Sequence, residues 1–205
     1  MSDMEAIRQF EEEVARYAGS EYGVAVDSCT NAIFLSLQYL KSVGEFHDGD
    51  VITLPSHTFL SVPCQLKHAG LRIRFCDVKW SGMYQLKPTR IYDCATRFTE
   101  DMFVGGDALQ CLSFQARKHL PIGRGGMVLT NDFNAVRWLR MARINGRHEG
   151  VPRDLDDLEV CGWNMYMMAE QASRGLTLLG WIPKKNADCG SSDAYADISK
   201  MKVFQ

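Results

Sequence analysis

Apolar positions along the chain alternate between helical spacing and short strand-like runs. Residues 4–18 place Ile7, Phe10, Val14 and Tyr17 three and four apart, which predicts an amphipathic helix with one buried stripe. Gly19-Ser20 ends it. Tyr22–Val26 predicts a strand, and Ala32–Leu40 returns to helical spacing with Ile33, Leu37 and Leu40 on one face. After the turn Asp48-Gly49-Asp50, Val51–Leu54 predicts a buried strand that Pro55 breaks, then Leu60–Ala69 a helix and Leu71–Phe75 a strand. Residues 79–90 read as loop. Arg90–Tyr92 is a very short strand that delivers Asp93. Leu109–Phe114 and Gly126–Thr130 predict further strands, and Asn131–Met141 a helix. Residues 143–165 read as irregular. Ala169–Leu179 is a last helix, stopped by Pro183. The stretch from Asn186 has no clear period, which leaves open a surface, partner-bound or mobile tail. Strand and helix signals in alternation predict an α/β sandwich with a largely parallel sheet.

Composition narrows the class. The 205 residues are 46% hydrophobic and 23% charged, enough for one cored domain, residues 1–183, with 184–205 as a C-terminal tail. A net charge of −2 without blocks of like charge gives no electrostatic support for nucleic-acid binding. No apolar run approaches a membrane span, and the acidic start MSDMEAIRQFEEE is unlike a signal peptide. Seven cysteines include no Cys-x-x-Cys pair, so neither zinc nor a disulfide framework is expected, and a reducing cytoplasm is. No metal site is expected: His57 and His119 read as structural or substrate-adjacent. Trp138, Trp163 and Trp181 read as core or interface, and the arginines from Arg137 to Arg153 as a solvated face or subunit contact.

The candidate chemistry centres on Leu112–Gly126, LSFQARKHLPIGRGG, which sets Lys118 between an apolar run and a glycine-rich segment. An amine there can be held where a carbonyl compound meets it, and pyridoxal 5′-phosphate is the reading adopted. That cofactor asks for a partly desolvated lysine, a carboxylate at its pyridinium nitrogen, phosphate donors and an apolar face for its ring. Lys118, Asp93 at a strand end, Ser28-Cys29-Thr30 before a helix with the Ser113 hydroxyl, and Phe59 supply one candidate for each. Taken singly, Ser28–Thr30 reads more simply as an N-cap, Asp93 as a cap or salt bridge, and Phe59 as core. Spacing alone does not select this set from the many Lys/Asp pairs of an α/β protein.

Five segments in order resemble the DegT/DnrJ/StrS family of sugar aminotransferases, which are fold-type I pyridoxal-phosphate enzymes: DSCTNAIFLSL, ITLPSHTFLSV, YDCATRF, LSFQARKHLPIGRGGMVLTND and CGWNMYMMAEQAS. The resemblance implies a three-layer sandwich with a mostly parallel sheet, the large pyridoxal-phosphate-binding domain only. It implies Lys118 as the Schiff-base lysine and proton carrier and Asp93 as the pyridinium partner. Ser28, Cys29, Thr30 and Ser113 would hold the phosphate, with Phe59 and Ala95 on the two ring faces. Asn164 would reach the phosphate of a neighbouring subunit, so the active unit would be a homodimer with a shared site. The expected reaction moves an amino group from an amino-acid donor, L-glutamate, to the keto group of a nucleotide-linked sugar. The alternatives are a sugar dehydratase, in whose family examples a histidine replaces the lysine, and a degenerate or partner-dependent module that keeps the fold and cofactor site.

This sequence departs from the family pattern in places. Thr96 stands where a glutamine usually contacts the ring hydroxyl, which weakens or removes that contact. Gln115 stands for a histidine and Arg124 for the glutamate of GEGG; Met165 and Tyr166 also depart. A strand–helix–strand stretch before the aspartate is absent, since only Gln85–Tyr92 separates Tyr84 from Asp93, and the family's smaller C-terminal domain is not matched.

Overall fold

A computed structural model describes residues 3–204; Met1, Ser2 and Gln205, which the expected domain and tail include, lie outside the described residues. In chain order the elements are α1 Asp3–Ala18, β1 Tyr22–Val26, α2 Cys29–Ser42, β2 Val51–Pro55, α3 Ser61–His68, β3 Arg72–Cys76, β4 Tyr84–Gln85, β5 Ile91–Asp93, β6 Leu109–Ser113, β7 Gly126–Thr130, α4 Phe133–Ala142 and α5 Ala169–Leu179. The helix after β1 begins three residues earlier than its apolar period suggests. The reason is local: Ser28, in extended conformation (φ −165°, ψ 156°), accepts from the Asn31 N–H and caps α2.

Successive strand residues face opposite sides of the sheet, so each strand feeds two cores. Val24, Val26, Cys111 and Val128 pack with α2, α3 and α4, whereas Ala25, Leu112, Met127 and Leu129 pack with α1 and α5. The result is three layers, helices covering both faces, and β7 is buried along its whole length.

The mixed α/β architecture matches the expectation, but the sheet is mixed rather than mostly parallel. Its order is β1-β7-β6-β5-β4, with β1–β7, β6–β7 and β4–β5 antiparallel and β5–β6 parallel; β2 and β3 form a separate parallel pair. A parallel pair needs a crossover, usually a helix. Strands β2 and β3 have one in α3, whereas β6 and β7 are joined by the Lys118 loop, which carries none.

The stretch expected as loop before Asp93 is where the two sheets join. Tyr84 and Gln85 pair with Asp93 and Tyr92 on one side. On the other, the Lys87 N–H donates to Thr53 O at 3.0 Å and the Thr53 N–H to Lys87 O at 2.7 Å. One extended segment therefore fills the sheet position between β5 and β2, and the strand-helix-strand stretch is replaced by a hairpin. Its turn is closed by the Leu86 N–H donating to Ile91 O at 2.9 Å and Thr89 Oγ1 donating to Leu86 O at 2.6 Å.

Two further expectations resolve in the packing. The arginines after Arg137 are not all solvated: Arg143 is 1% exposed and meets Glu11, also 1% exposed, across the α1/β1/α4 junction. The tail folds back on the domain: the Ile198 N–H donates to Ser56 O at 3.0 Å, and Phe204 packs on Phe75. Among the described residues, no helix is long and apolar enough to cross a membrane.

Candidate active site

The ends of β1, β5 and β6 and the Lys118 loop surround a cavity of about 410 Å³, within the usual size of small-ligand sites, roughly 300–1,000 Å³. It gathers Ser28, Cys29, Thr30, Asp93, Ser113 and Lys118. Phe59, Ala95 and Thr96 line it as well. Asn164 does not. It sits exposed in a stretch that bridges to Ile144, next to Met165, whose carbonyl accepts the Asp27 N–H at 2.9 Å.

One end of the cavity faces the N-terminus of α2. The first turn of α2 carries no acidic residue, and its N-terminus is free to meet negative charge. Ser28 Oγ donates to Asp27 Oδ1 at 3.1 Å, and Asn31 Nδ2 donates to the same oxygen at 2.7 Å, which fixes the loop. Gly126 is required for this approach: a Cβ there would lie 2.4 Å from the Cys29 nitrogen and from Ser28 C. Arg124, the departure in the glycine-rich segment, pairs with Asp27 at 2.9 Å and adds a cation to the same rim.

The other end holds Asp93, 6% exposed at the tip of β5. Its carboxylate accepts from Tyr84 Oη at 2.7 Å and from the Ala95 N–H at 2.9 Å. Tyr84 Oη also shares a 2.5 Å hydrogen bond with Thr58 Oγ1. Burial pushes the Asp93 carboxyl above its ordinary value, partly countered by Ala95, Tyr84 and the Lys118 ammonium. Burial, then the Asp93 charge, push the Tyr84 phenol well up, so it remains a donor at neutral pH. Lys118 follows a turn in which its N–H donates to Gln115 O at 2.9 Å. Its ammonium also acts on Cys29, so the two ends of the cavity share one cation.

Thr96 Oγ1 donates to Gly82 O at 3.0 Å and Gly190 O at 3.1 Å, which commits its hydroxyl to the backbone. Phe59 stands 53% exposed at the mouth rather than in a core. Trp80 and Tyr195, which line the cavity, fall outside the five resembling segments, whereas Thr58 lies within ITLPSHTFLSV and Tyr84 reaches the site through its bonds to Asp93 and Thr58. His57 and His119 hold the tail through Nδ1 and Nε2, donating to Tyr195 O at 2.9 Å and Ala187 O at 2.7 Å. Among the described residues no group of three or more His, Cys, Asp or Glu could hold a metal.

The chain is similar to known proteins in both sequence and fold. The model of the DegT/DnrJ/EryC1/StrS aminotransferase family matches residues 2–106 and 94–189. The dTDP-3-amino-3,4,6-trideoxy-alpha-D-glucose transaminase of Micromonospora megalomicea subsp. nigra is 37% identical over 150 residues, 73% of this chain and 38% of that protein. The spore coat polysaccharide biosynthesis protein SpsC of Bacillus subtilis (strain 168) is 26% identical over 219 residues, 83% of this chain and 55% of that protein. The chain thus spans about half the length of the curated relatives it matches. Its fold is shared with a solved GDP-4-keto-6-deoxymannose-3-dehydratase with a trapped PLP-glutamate geminal diamine, at TM-score 0.69 and 17% identity, over 87% of this chain and 61% of that one.

Proposed function

The chain belongs to the DegT/DnrJ/EryC1/StrS aminotransferase family, and on that footing we propose that it carries the pyridoxal-phosphate site of an enzyme that moves an amino group from L-glutamate to the keto group of a nucleotide-linked sugar. The observation that supports this reading is one cavity lined by the Lys118 amine, the buried Asp93 carboxylate and the N-terminus of α2. The residues fit the cofactor. Gly126 lets the backbone close on Ser28 and Cys29, which seats the N-terminus of α2, free of acidic residues, at the cavity, and Asp93 is a buried carboxylate raised by desolvation, whose charged form a bound cation would favour.

When bound, the cofactor supplies an electron sink for breaking a C–H bond beside nitrogen. The chain's own residues do the rest. Lys118 Nζ would anchor the cofactor through its aldehyde carbon and, when free, would carry a proton as acid and base. Asp93 holds positive charge at the ring nitrogen, while Tyr84 and the Ala95 N–H hold Asp93 in place. The N–H groups of Cys29 and Thr30, with the Ser113 hydroxyl and that of Ser28 once it turns from Asp27, would take the phosphate. Phe59 and Ala95 pack on opposite ring faces. Thr96, with its hydroxyl committed to carbonyls, contributes packing. Asn164, exposed on this chain, would reach the phosphate of a second copy, which would make the working unit a homodimer. Seven free cysteines fit a reducing cytoplasm. A dehydratase reading is disfavoured by Lys118 itself, an amine in the position where dehydratases of the family carry a histidine.

The test is an absorbance titration with pyridoxal phosphate followed by L-glutamate. A Schiff-base band that forms and then collapses on adding glutamate, regenerated by a nucleotide keto-sugar with amine in the product, is the expected result. A band that never forms sinks the reading.

Asp93→Asn separates the site's stability from its function. The variant keeps one acceptor for the Ala95 N–H, and its amide donates to Tyr84, which then donates to Thr58. Because burial raises the carboxyl, the folded chain holds this proton more tightly than the unfolded one. The stability Asp93 contributes is full below the ordinary value of 3.8 and is lost as pH rises through the folded value. The cofactor-free variant should therefore melt at or above wild type at pH 7, while its dissociation constant for pyridoxal phosphate rises by about tenfold or more. Calorimetry and the absorbance titration read the two effects; unchanged affinity would remove Asp93 from the site.

A further inference from the structure

Residues 187–198 cross the cavity mouth as a strap. Arg97 grips Asp188 through two nitrogens, at 2.8 and 2.7 Å. The Cys189 N–H donates to Thr96 O at 2.9 Å, and the Ser192 N–H to Trp80 O at 3.0 Å. Trp80 Nε1 in turn donates to His57 O at 2.8 Å, and His57 Nδ1 to Tyr195 O at 2.9 Å. These anchors set the Tyr195 ring against Phe59 and Trp80, with centroids 6.5 and 5.7 Å away, as part of the cavity wall.

At the Asp93 end of the cavity the other hydroxyls are spoken for. Thr58 and Tyr84 share one hydrogen bond, Tyr84 donates to Asp93, and Thr96 donates to two carbonyls. The Tyr195 hydroxyl makes no hydrogen bond among the described residues. A polar hydrogen on a half-buried ring that faces a cavity is a ligand donor in waiting. Burial, then the Asp93 charge, push its phenol above its ordinary value, so the hydrogen stays on at neutral pH.

We propose that Tyr195 is a cofactor-contacting residue whose hydroxyl donates to the phenolic oxygen of the pyridoxal ring. This rests on the pyridoxal-phosphate reading above. On that ring the phenolic oxygen and the phosphate arm flank opposite sides of the axis through the nitrogen. With the phosphate at α2 and the nitrogen at Asp93, the phenolic oxygen falls to the remaining wall, formed by Trp80, Gly82, Thr96 and Tyr195. Tyr195 is the one residue of that wall with a side-chain donor still free, since Trp80 Nε1 and Thr96 Oγ1 both donate to carbonyls. The strap is thereby a working part of the site rather than a surface tail.

The titratable groups around Tyr195 are Asp93, Tyr84, Cys29, Cys189, His57 and Lys118. Tyr195→Phe leaves all six and the ring packing in place. Two measurements decide. The first is the dissociation constant of 4-deoxypyridoxine 5-phosphate, which keeps the phenol and the phosphate but lacks the aldehyde. The second is the pH midpoint of the Schiff-base band formed with pyridoxal phosphate. Loss of one neutral hydrogen bond should weaken binding of the analogue about fivefold. A donor at the phenolic oxygen favours its ionised form over sharing a proton with the imine nitrogen, so its loss should raise the midpoint by about half a pH unit or more. A merely structural tyrosine would not move the midpoint. Wild-type values for both in Tyr195→Phe overturn the assignment, even if Tyr195→Ala binds poorly, because packing alone would then explain the alanine variant. A wild-type protein that forms no band overturns the cofactor reading and this assignment with it, an outcome distinct from a normal band that Tyr195→Phe leaves unchanged.

Discussion

Lys118→Ala is expected to abolish the absorbance change on adding pyridoxal phosphate and to lower amino transfer by at least about 10³-fold, the scale of losing a positioned acid–base group. The removed amine does two separable things. Its nitrogen is the nucleophile for the aldehyde, and its charge acts on Asp93 and on Cys29 across the cavity. Lys118→Arg keeps a cation in the loop and cannot form the covalent bond. If the arginine variant still binds the cofactor noncovalently while alanine binds it more weakly, both roles are established together. A normal band in Lys118→Ala would assign the covalent bond to another lysine and undo the site as drawn. The turn that seats Lys118 is closed by its own N–H on Gln115 O and by Gln115 Oε1 accepting the Arg117 N–H at 2.9 Å, bonds that do not use the Lys118 side chain, so neither substitution should disturb the loop. Melting temperatures close to wild type are the accompanying expectation.

The second large effect is on stability. Arg143→Met should destabilise the chain by about 3 kcal/mol, because removing one partner of a buried ion pair strands the other. Arg143 Nη1 bonds Glu11 and, at 2.6 Å, Ala25 O, while Nη2 bonds Glu149 at 2.8 Å. Burial alone would lower the guanidinium's pKa, but Glu11 and Glu149 outweigh it and hold it above its ordinary value. Glu11 also accepts the Ala25 N–H at 2.9 Å and pairs with Arg140 at 3.2 Å. Those remaining partners keep the cost at the low end of the 3–5 kcal/mol typical of a broken buried pair. A drop in melting temperature of roughly 6–12 °C should accompany it in a domain of this size. The double variant Arg143→Met/Glu11→Leu should recover part of the loss, since it leaves neither of the two most buried charges without the other; it recovers only part because Arg140, Glu149 and the Ala25 backbone lose partners. Denaturation midpoints of the three variants decide it; a single-variant cost under about 0.5 kcal/mol would mean the pair is solvated in solution. The network ties α1 and α4 to β1, the strand that runs directly into Asp27 and Ser28, so the same substitution should also loosen the anion end of the cavity.

Much of the site was legible in the chain because its parts are local. A hydroxyl before a helix caps it and leaves backbone donors free, and Ser28 does so ahead of α2. A carboxylate after a short apolar run lands at a strand end, and Asp93 is the last residue of β5. The glycines after Lys118 have a steric reason that motif resemblance only hinted at, the approach of Gly126 to Cys29. Thr96, by contrast, looked from the sequence only like a weakened ring contact; the structure shows its hydroxyl committed to Gly82 and Gly190.

The sequence by itself determined where most helices and strands lie, which residues face a core, and which lysine, carboxylate and helix start to look for at one site; the structure brings those three to one cavity. What the sequence determined follows from side-chain periods and from caps that act within a few residues. Only the tertiary structure decided how the strands pair, that Tyr84–Lys87 stands between β5 and β2, that Glu11 meets Arg143, and that Tyr195 enters the cavity. Those arrangements are settled by unsatisfied groups that meet only after distant segments close on one another. A backbone edge at Thr53, a buried charge at Glu11 and an open wall beside Thr96 each accept whichever segment can reach and satisfy them, and no pattern of neighbouring residues encodes that choice.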